Sequence, residues 1–180
     1  MYLFRKKYRS FDDYSLIQKI SKGDESAFRE LLRRYKDGIF NYAFQLTRII
    51  ETAEDVTQET FIKLYRISES MHEGINVRAY IYKIARNSCI DISRKKKPEI
   101  QGENIEDVST KTPYEELKHK EEELQLMSAI SKLSENQKTA VLLRHTEGLS
   151  YKEISIVMAL SVAAVESLLV RARKKLRTLV

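Results

Sequence analysis

The stretch from Leu149 to Arg177 constrains the fold more than any other part of the chain. Ser150 followed by Glu153 makes an N-terminal capping box, in which hydroxyl and carboxylate each accept from an otherwise orphan backbone N–H, so a helix starts at Tyr151. Met158-Ala159-Leu160-Ser161 interrupts it. Ser161 can cap a second helix, where Val165, Leu169, Ala172 and Leu176 recur at helical spacing as an inward stripe. Ser167, Arg171, Lys174 and Lys175 fall on the outward side, with Arg173 and Arg177 nearby. Two short helices across a tight turn, the second ending in cations, have the layout of a helix-turn-helix, whose second helix enters the DNA major groove. A helical hairpin is also a common structural unit, so the rest of the chain has to decide between the two.

Five glycines and two prolines in 180 residues are too few for an all-β fold with many tight turns. The length allows one large domain or two small ones, and 42% hydrophobic residues suffice to bury their cores. A net charge of +6 favours a polyanionic partner. The single cysteine, Cys89, excludes an intramolecular disulfide framework and a Cys-rich zinc site. His72, His119 and His145 are too scattered to suggest a metal site, and no cofactor is expected. No apolar run approaches a membrane span, and the basic segment Met1–Ser10 is followed by no apolar run of the kind a secretory signal needs. A cytoplasmic protein without membrane insertion is expected.

Charge is distributed in blocks. Asn76 to Lys97 carries seven basic residues and one acidic, net +6, and Lys138 to Arg177 carries eight and three, net +5. Between them Pro98 to Glu123 has nine acidic and three basic residues, net −6. Pro98-Glu99-Ile100-Gln101-Gly102-Glu103-Asn104 is polar and without helical period, as a linker would be. A helix resumes at Thr112-Pro113-Tyr114-Glu115, with a threonine cap and proline at the first helical position. The expected fold is all-α: a basic tail over 1–10, a helical domain over 11–97, a flexible acidic linker over 98–111 and a second helical domain over 112–180.

The N-terminal domain reads as helices throughout. Asp24 caps a segment whose apolar stripe is Ala27, Phe28, Leu31, Leu32 and Tyr35, continued by Ile39, Ala43 and Leu46. Thr52 with Asp55 starts another, with Ala53, Val56, Thr60, Phe61, Leu64 and Ile67 on its core side. Asp55, Gln58, Glu59 and Ile62 share its opposite face. An exposed isoleucine among polar groups there points to a partner site, because interface centres mix apolar and polar contacts. A third helix follows Asn76, with Val77, Tyr80, Ile81, Ile84, Ala85, Ser88 and Ile92 inward. Its expected outer side presents Arg78, Tyr82, Lys83, Arg86 and Ser93, running into Arg94-Lys95-Lys96-Lys97. Rings interleaved with cations suit single-stranded DNA, since bases stack on rings while cations hold phosphates.

Several segments occur in a particular order: Gly23-Asp24-Glu25-Ser26-Ala27-Phe28, Ala53-Glu54-Asp55-Val56-Thr57-Gln58-Glu59-Thr60-Phe61, Arg78-Ala79-Tyr80-Ile81-Tyr82-Lys83-Ile84-Ala85-Arg86-Asn87, Ile90-Asp91, Leu133-Ser134-Glu135 and Glu147-Gly148-Leu149-Ser150-Tyr151. Their order and spacing resemble an extracytoplasmic-function (ECF) sigma factor, a compact bacterial RNA polymerase initiation subunit, over roughly Leu16 to Arg177. The resemblance implies sigma region 2 followed by region 4. By it, Asp55, Gln58, Glu59 and Ile62 would bind the β′ clamp of core RNA polymerase. Asn76, Arg78, Tyr82, Lys83, Arg86 and Arg94 would read and open the −10 element of promoter DNA. Ser161, Ala163, Glu166, Ser167, Arg171, Arg173, Lys174 and Lys175 would meet the −35 element, with the C-terminal domain beside the β flap and an anti-sigma factor as a further partner.

The chain departs from that pattern at Tyr80, where tryptophan is frequent, and at Ala159, where glycine is frequent and alanine is acceptable if φ stays negative. Glu166 and Leu168 stand where lysine and arginine are frequent, removing positive charge near the DNA. Two other classes compete. A metal-dependent nuclease could use Glu51, Glu54, Asp55 and Glu59, but Glu54 lies about 100° round the helix from Asp55, and neither a phosphate-cradling loop nor H-E-x-x-H is present. No enzymatic activity is expected. A stand-alone helix-turn-helix regulator would explain the C-terminal helices and leave Leu16–Lys97 unexplained.

Overall fold

The computed structural model describes residues 8–95, 125 and 128–179, and every regular element among them is helical. α1 (Asp13–Ile20), α2 (Glu25–Thr47), α3 (Ile50–Ile67) and α4 (Val77–Lys95) make the N-terminal lobe. α5 (Glu135–Val141), α6 (Tyr151–Met158) and α7 (Val162–Arg177) make the C-terminal lobe. The expected linker and the helix start at Thr112-Pro113 lie outside the described residues.

Local chemistry sets most of the helix starts. Asp24 accepts from the amides of Ser26 (2.9 Å) and Ala27 (3.1 Å), capping α2 where the sequence places the cap. Asn76 Oδ1 accepts from the Ala79 amide (2.9 Å) at the head of α4. Thr52 does not start α3, as expected from sequence; the helix begins at Ile50 without a side-chain cap and Thr52 is buried within its first turn. The connection is the cause: Arg48, at φ 59°, closes α2 by donating to the Phe44 carbonyl and turns the chain back within a few residues.

Leu16 and Ile17 of α1, Leu31 and Ile39 of α2, Val56 and Leu64 of α3 and Ile81 of α4 are fully buried, each on the face its helical period selects. The end of the expected N-terminal tail joins this lobe. Tyr8 is buried and donates from its hydroxyl to Asp24 Oδ2 (2.6 Å). Arg34 secures the same corner, donating to Asp13 (2.8 Å), to Glu30 (3.0 Å) and to the Tyr8 carbonyl (3.0 Å). Arg33 also donates twice to the buried Glu30, and these bonds, with the one from Arg34, hold its carboxyl down to about 2.

In the C-terminal lobe α6 opens with the capping box read from sequence: Ser150 accepts from the Glu153 amide and Glu153 from the Ser150 amide. Ser161 caps α7 through the Ala164 amide (3.2 Å), and Val165, Leu169 and Ala172 are buried. The two helices cross at 100°. Ala159 corrects the expectation of negative φ: it closes α6 in the left-handed conformation (φ 53°, ψ 45°), because the sharp turn into α7 requires it.

The lobes are docked. Buried apolar residues form one cluster running from Leu16 to Ala172, and α4 packs against α6.

Candidate polymerase and nucleic-acid interfaces

The solvent face of α3 carries the predicted partner stripe. Asp55 and Gln58 are exposed, Ile62 is 50% exposed, and Glu59 is paired with Lys63 (2.9 Å). Ile50 and Tyr65 are equally exposed large apolar side chains on the same helix. The sequence reading left these two out, although continuing the i, i+3, i+4 stripe from Ile62 reaches Tyr65. Tyr65 is held by Phe28, edge to face at 5.8 Å. Ile62 and Tyr65 make an apolar pair beside Asp55 and Glu59, on a helix whose other side is fixed by the core, while Ile50 stands apart at the helix start.

On α4 the structure brings the predicted −10 residues together, but turned toward the C-terminal lobe. Tyr82 was placed on an outer side, yet it is 3% exposed. Its hydroxyl donates to the Glu147 carboxylate, and its ring meets Tyr42 edge to face at 5.9 Å. Arg78 donates to the Glu147 main-chain carbonyl, and Arg86 reaches Asn136 Oδ1 at 3.4 Å. Asn76 Nδ2 lies 3.5 Å from Glu153 Oε1. Lys83 stays partly exposed over the Tyr80 ring, 5.7 Å from its centre. Arg94 lies within α4; its side chain is outside the described residues.

Burial shapes the chemistry of this seam. Glu147 is pushed above the usual carboxylate range by desolvation, against the opposing pull of Tyr82 and Arg78. Lys138, whose ammonium donates to the Leu46 carbonyl (3.2 Å), is pushed below the usual lysine range by the same cause. Gly38, mid-way along α2, explains how the carboxylate fits. A Cβ there would lie 2.8 Å from Glu147 Oε2 and 2.6 Å from the Tyr82 hydroxyl. A glycine inside a helix costs about 1 kcal/mol against alanine, and that cost was the sequence signal for a close approach.

The outer face of α7 remains open. Ala163, Glu166, Ser167, Val170 and Arg171 line a shallow concavity, and Arg173, Lys174 and Lys175 are exposed beyond it. Ser161 is exposed, with its hydroxyl engaged in the cap. Lys175 donates to the Lys132 carbonyl, which ties the cationic end of α7 to the preceding segment. Leu168 is half-buried and packs against the core, so the large apolar side chains that α7 exposes are Val162 and Val170, at 45% and 56%. Among the described residues no group of three or more His, Cys, Asp or Glu side chains is placed to hold a metal, and no single helix is long and apolar enough to cross a membrane.

Residues 31–99 match the sigma-70 region 2 family and residues 123–176 the sigma-70 region 4 family. The chain is 35% identical to the ECF RNA polymerase sigma-E factor of Haemophilus influenzae, across 90% of its own length and 92% of the relative's. This chain belongs to the ECF sigma factors. It is therefore an RNA polymerase sigma factor, a transcription initiation factor and not an enzyme. The ECF sigma factor SigW of Bacillus subtilis is 28% identical over 89% of this chain and 92% of its own. The same fold occurs in the solved structure of CnrH in complex with the cytosolic domain of CnrY, with TM-score 0.73, 24% identity and coverage of 93% and 96%. It also occurs in the sigma factor RpoE in complex with the anti-sigma factor NepR from Bartonella quintana, with TM-score 0.69, 22% identity and coverage of 84% and 95%.

Proposed function

We infer that this ECF sigma factor binds the β′ clamp of core RNA polymerase through α3 and divides promoter recognition between its lobes. The observation that carries the clamp assignment is the α3 strip: Ile62 and Tyr65 half exposed beside Asp55 and Gln58. Exposed apolar side chains grouped on one helix among carboxylates mark a protein interface more than a solvated surface. α4, with Arg78, Tyr82, Lys83 and Arg86, and the segment 68–76 before it take the −10 strand. α7 takes the −35 duplex, with the β flap beside its lobe, and the segment 98–111 joins the two. An anti-sigma factor is a further partner, a reading supported by the solved complex of the similarly folded sigma factor RpoE with the anti-sigma factor NepR. A stand-alone DNA-binding regulator would give α3 no reason to expose this strip.

Asp55→Lys combined with Ile62→Ala tests the assignment, because both side chains face away from the core. Loss of a central apolar contact and reversal of a charge should weaken binding to core enzyme at least about tenfold. Co-purification and helical circular dichroism are measured together. Wild-type co-purification by the folded variant rejects the α3 site.

A further inference from the structure

The α7 face assigned above to the −35 duplex changes character along its length. From Val162 to Val170 it carries one charge, the carboxylate of Glu166, and its cations begin only at Arg171. Ala163, Glu166, Ser167, Val170 and Arg171 recur at i, i+3, i+4, i+7 and i+8, so all five share one side of the helix, where they line the shallow concavity. Glu166 is exposed there, and among the described residues it has no hydrogen bond and no ion pair. The helix start does not use this carboxylate. Ser161 supplies the cap, and Glu166 lies beyond the amides left free in the first turn.

A recognition helix presents its N-terminal residues to base edges, and phosphate contacts fix its register without reading sequence. In α7 the cations from Arg171 onward are suited to the phosphates, which leaves Glu166 in the half that meets the bases. An ionised carboxylate only accepts hydrogen bonds. Phosphate oxygens, guanine O6 and N7 and thymine O4 are acceptors as well, and all of them repel it. The major groove offers it two donors, the amino groups at cytosine N4 and adenine N6. Adenine carries the acceptor N7 beside its amino group, so a carboxylate that accepts from N6 sets its second oxygen against N7. On cytosine the ring neighbour of the amino group is a C–H, and that repulsion is absent. Ser167 can donate or accept and makes no such choice.

We propose that Glu166 is a specificity-determining residue of this sigma factor, selecting a cytosine at one position of the −35 element by accepting from its N4 amino group. The selection rests on the −35 assignment of α7 made above. It adds to that assignment the base and the side chain that reads it.

The test uses holoenzyme assembled from core RNA polymerase and the full chain. A promoter of this sigma factor, mapped by sequencing transcript starts in cells that overproduce it, is randomised across its −35 element, and barcoded transcripts rank the bases at each position. Wild type should favour cytosine at one position by about tenfold, within the range of a good base contact. Glu166→Gln keeps the size of the side chain and adds a donor, the combination that fits adenine N6 and N7, so the same position should turn to adenine. Glu166→Ala should flatten the preference there and leave the other positions as they were. Two results overturn the proposal. Base preferences identical in all three proteins place Glu166 off the bases, and a uniform rise in transcription with every preference kept shows a carboxylate that only repels phosphate. Arg171→Ala keeps the underlying assignment separate, because loss of a phosphate contact should weaken all −35 sequences about equally and reduce the salt dependence. No base preference in wild type, with no effect of Arg171→Ala, removes α7 from the −35 element and the proposal with it. Preferences that respond to Arg171→Ala in strength but ignore both Glu166 variants leave α7 in place and reject Glu166 alone.

Discussion

Ala159 carries an avoidable conformational cost, and its replacement gives a worked case. The residue sits at φ 53° and ψ 45°, exposed, just after α6 and before the cap of α7. An L-residue with a Cβ pays roughly 1–2 kcal/mol in this conformation. Glycine removes that term but loses more backbone freedom on folding, about 0.5–1 kcal/mol relative to alanine. The expected balance for Ala159→Gly is a stabilisation of about 0.5–1 kcal/mol. Gly148, at φ 66° ahead of the α6 cap, provides the reciprocal experiment, because a Cβ there would meet nothing within 4 Å. Gly148→Ala should therefore destabilise by a similar amount through the backbone alone. Urea unfolding followed by circular dichroism measures both, with the C-terminal lobe fitted as its own transition if the lobes unfold separately. A midpoint that falls in Ala159→Gly, or that does not fall in Gly148→Ala, refutes the reasoning. The first result would mean that the turn into α7 depends on the alanine methyl.

Two further outcomes follow from the packing and the exposed helix face. Glu30 is held at about 2, below its unfolded value near 4.5, so its contribution is complete above about pH 4.5 and is lost as pH falls toward 2. Because Arg33 is more than half exposed, that contribution is taken as only about 2 kcal/mol; the gap between wild type and Glu30→Gln, measured by urea midpoints, should be largest near neutrality and shrink below pH 4.5. Val170, the most exposed apolar residue of α7, should contact a thymine methyl if α7 enters the major groove. Replacing the contacted thymine of the −35 element by deoxyuridine should then weaken promoter binding about three- to fourfold for wild type, the value of one methyl, and leave Val170→Ser unaffected; equal losses in both proteins would place Val170 away from the bases.

Helix identity and the N-terminal core were written in the sequence, because capping and apolar period act over a few residues. Asp24, Ser150 with Glu153, and Ser161 cap the helices they were read to cap. Leu64, Ile81 and Leu169, within the stripes read for α3, α4 and α7, are buried as their spacing requires, while Ile67, Ile92 and Leu176 at the stripe ends are partly buried. The helix-turn-helix and the acidic face of α3 were legible for the same reason. Tyr82 was not: its place on α4 was read correctly, but helical period says only which residues share a face, and the C-terminal lobe, more than fifty residues further on, decides whether that face meets water. The same limit applied to Leu168, which the crossing of α6 and α7 turns toward the core, and to Ala159, whose left-handed conformation is imposed by that crossing. Sequence by itself determined the helices, their caps and the family's ordered segments, all set by interactions within a turn or two of the chain. Only the tertiary structure decided which cationic face is open and which is covered, because that depends on long-range docking between lobes, where Glu147 reaches Tyr82 across a gap that Gly38 leaves free.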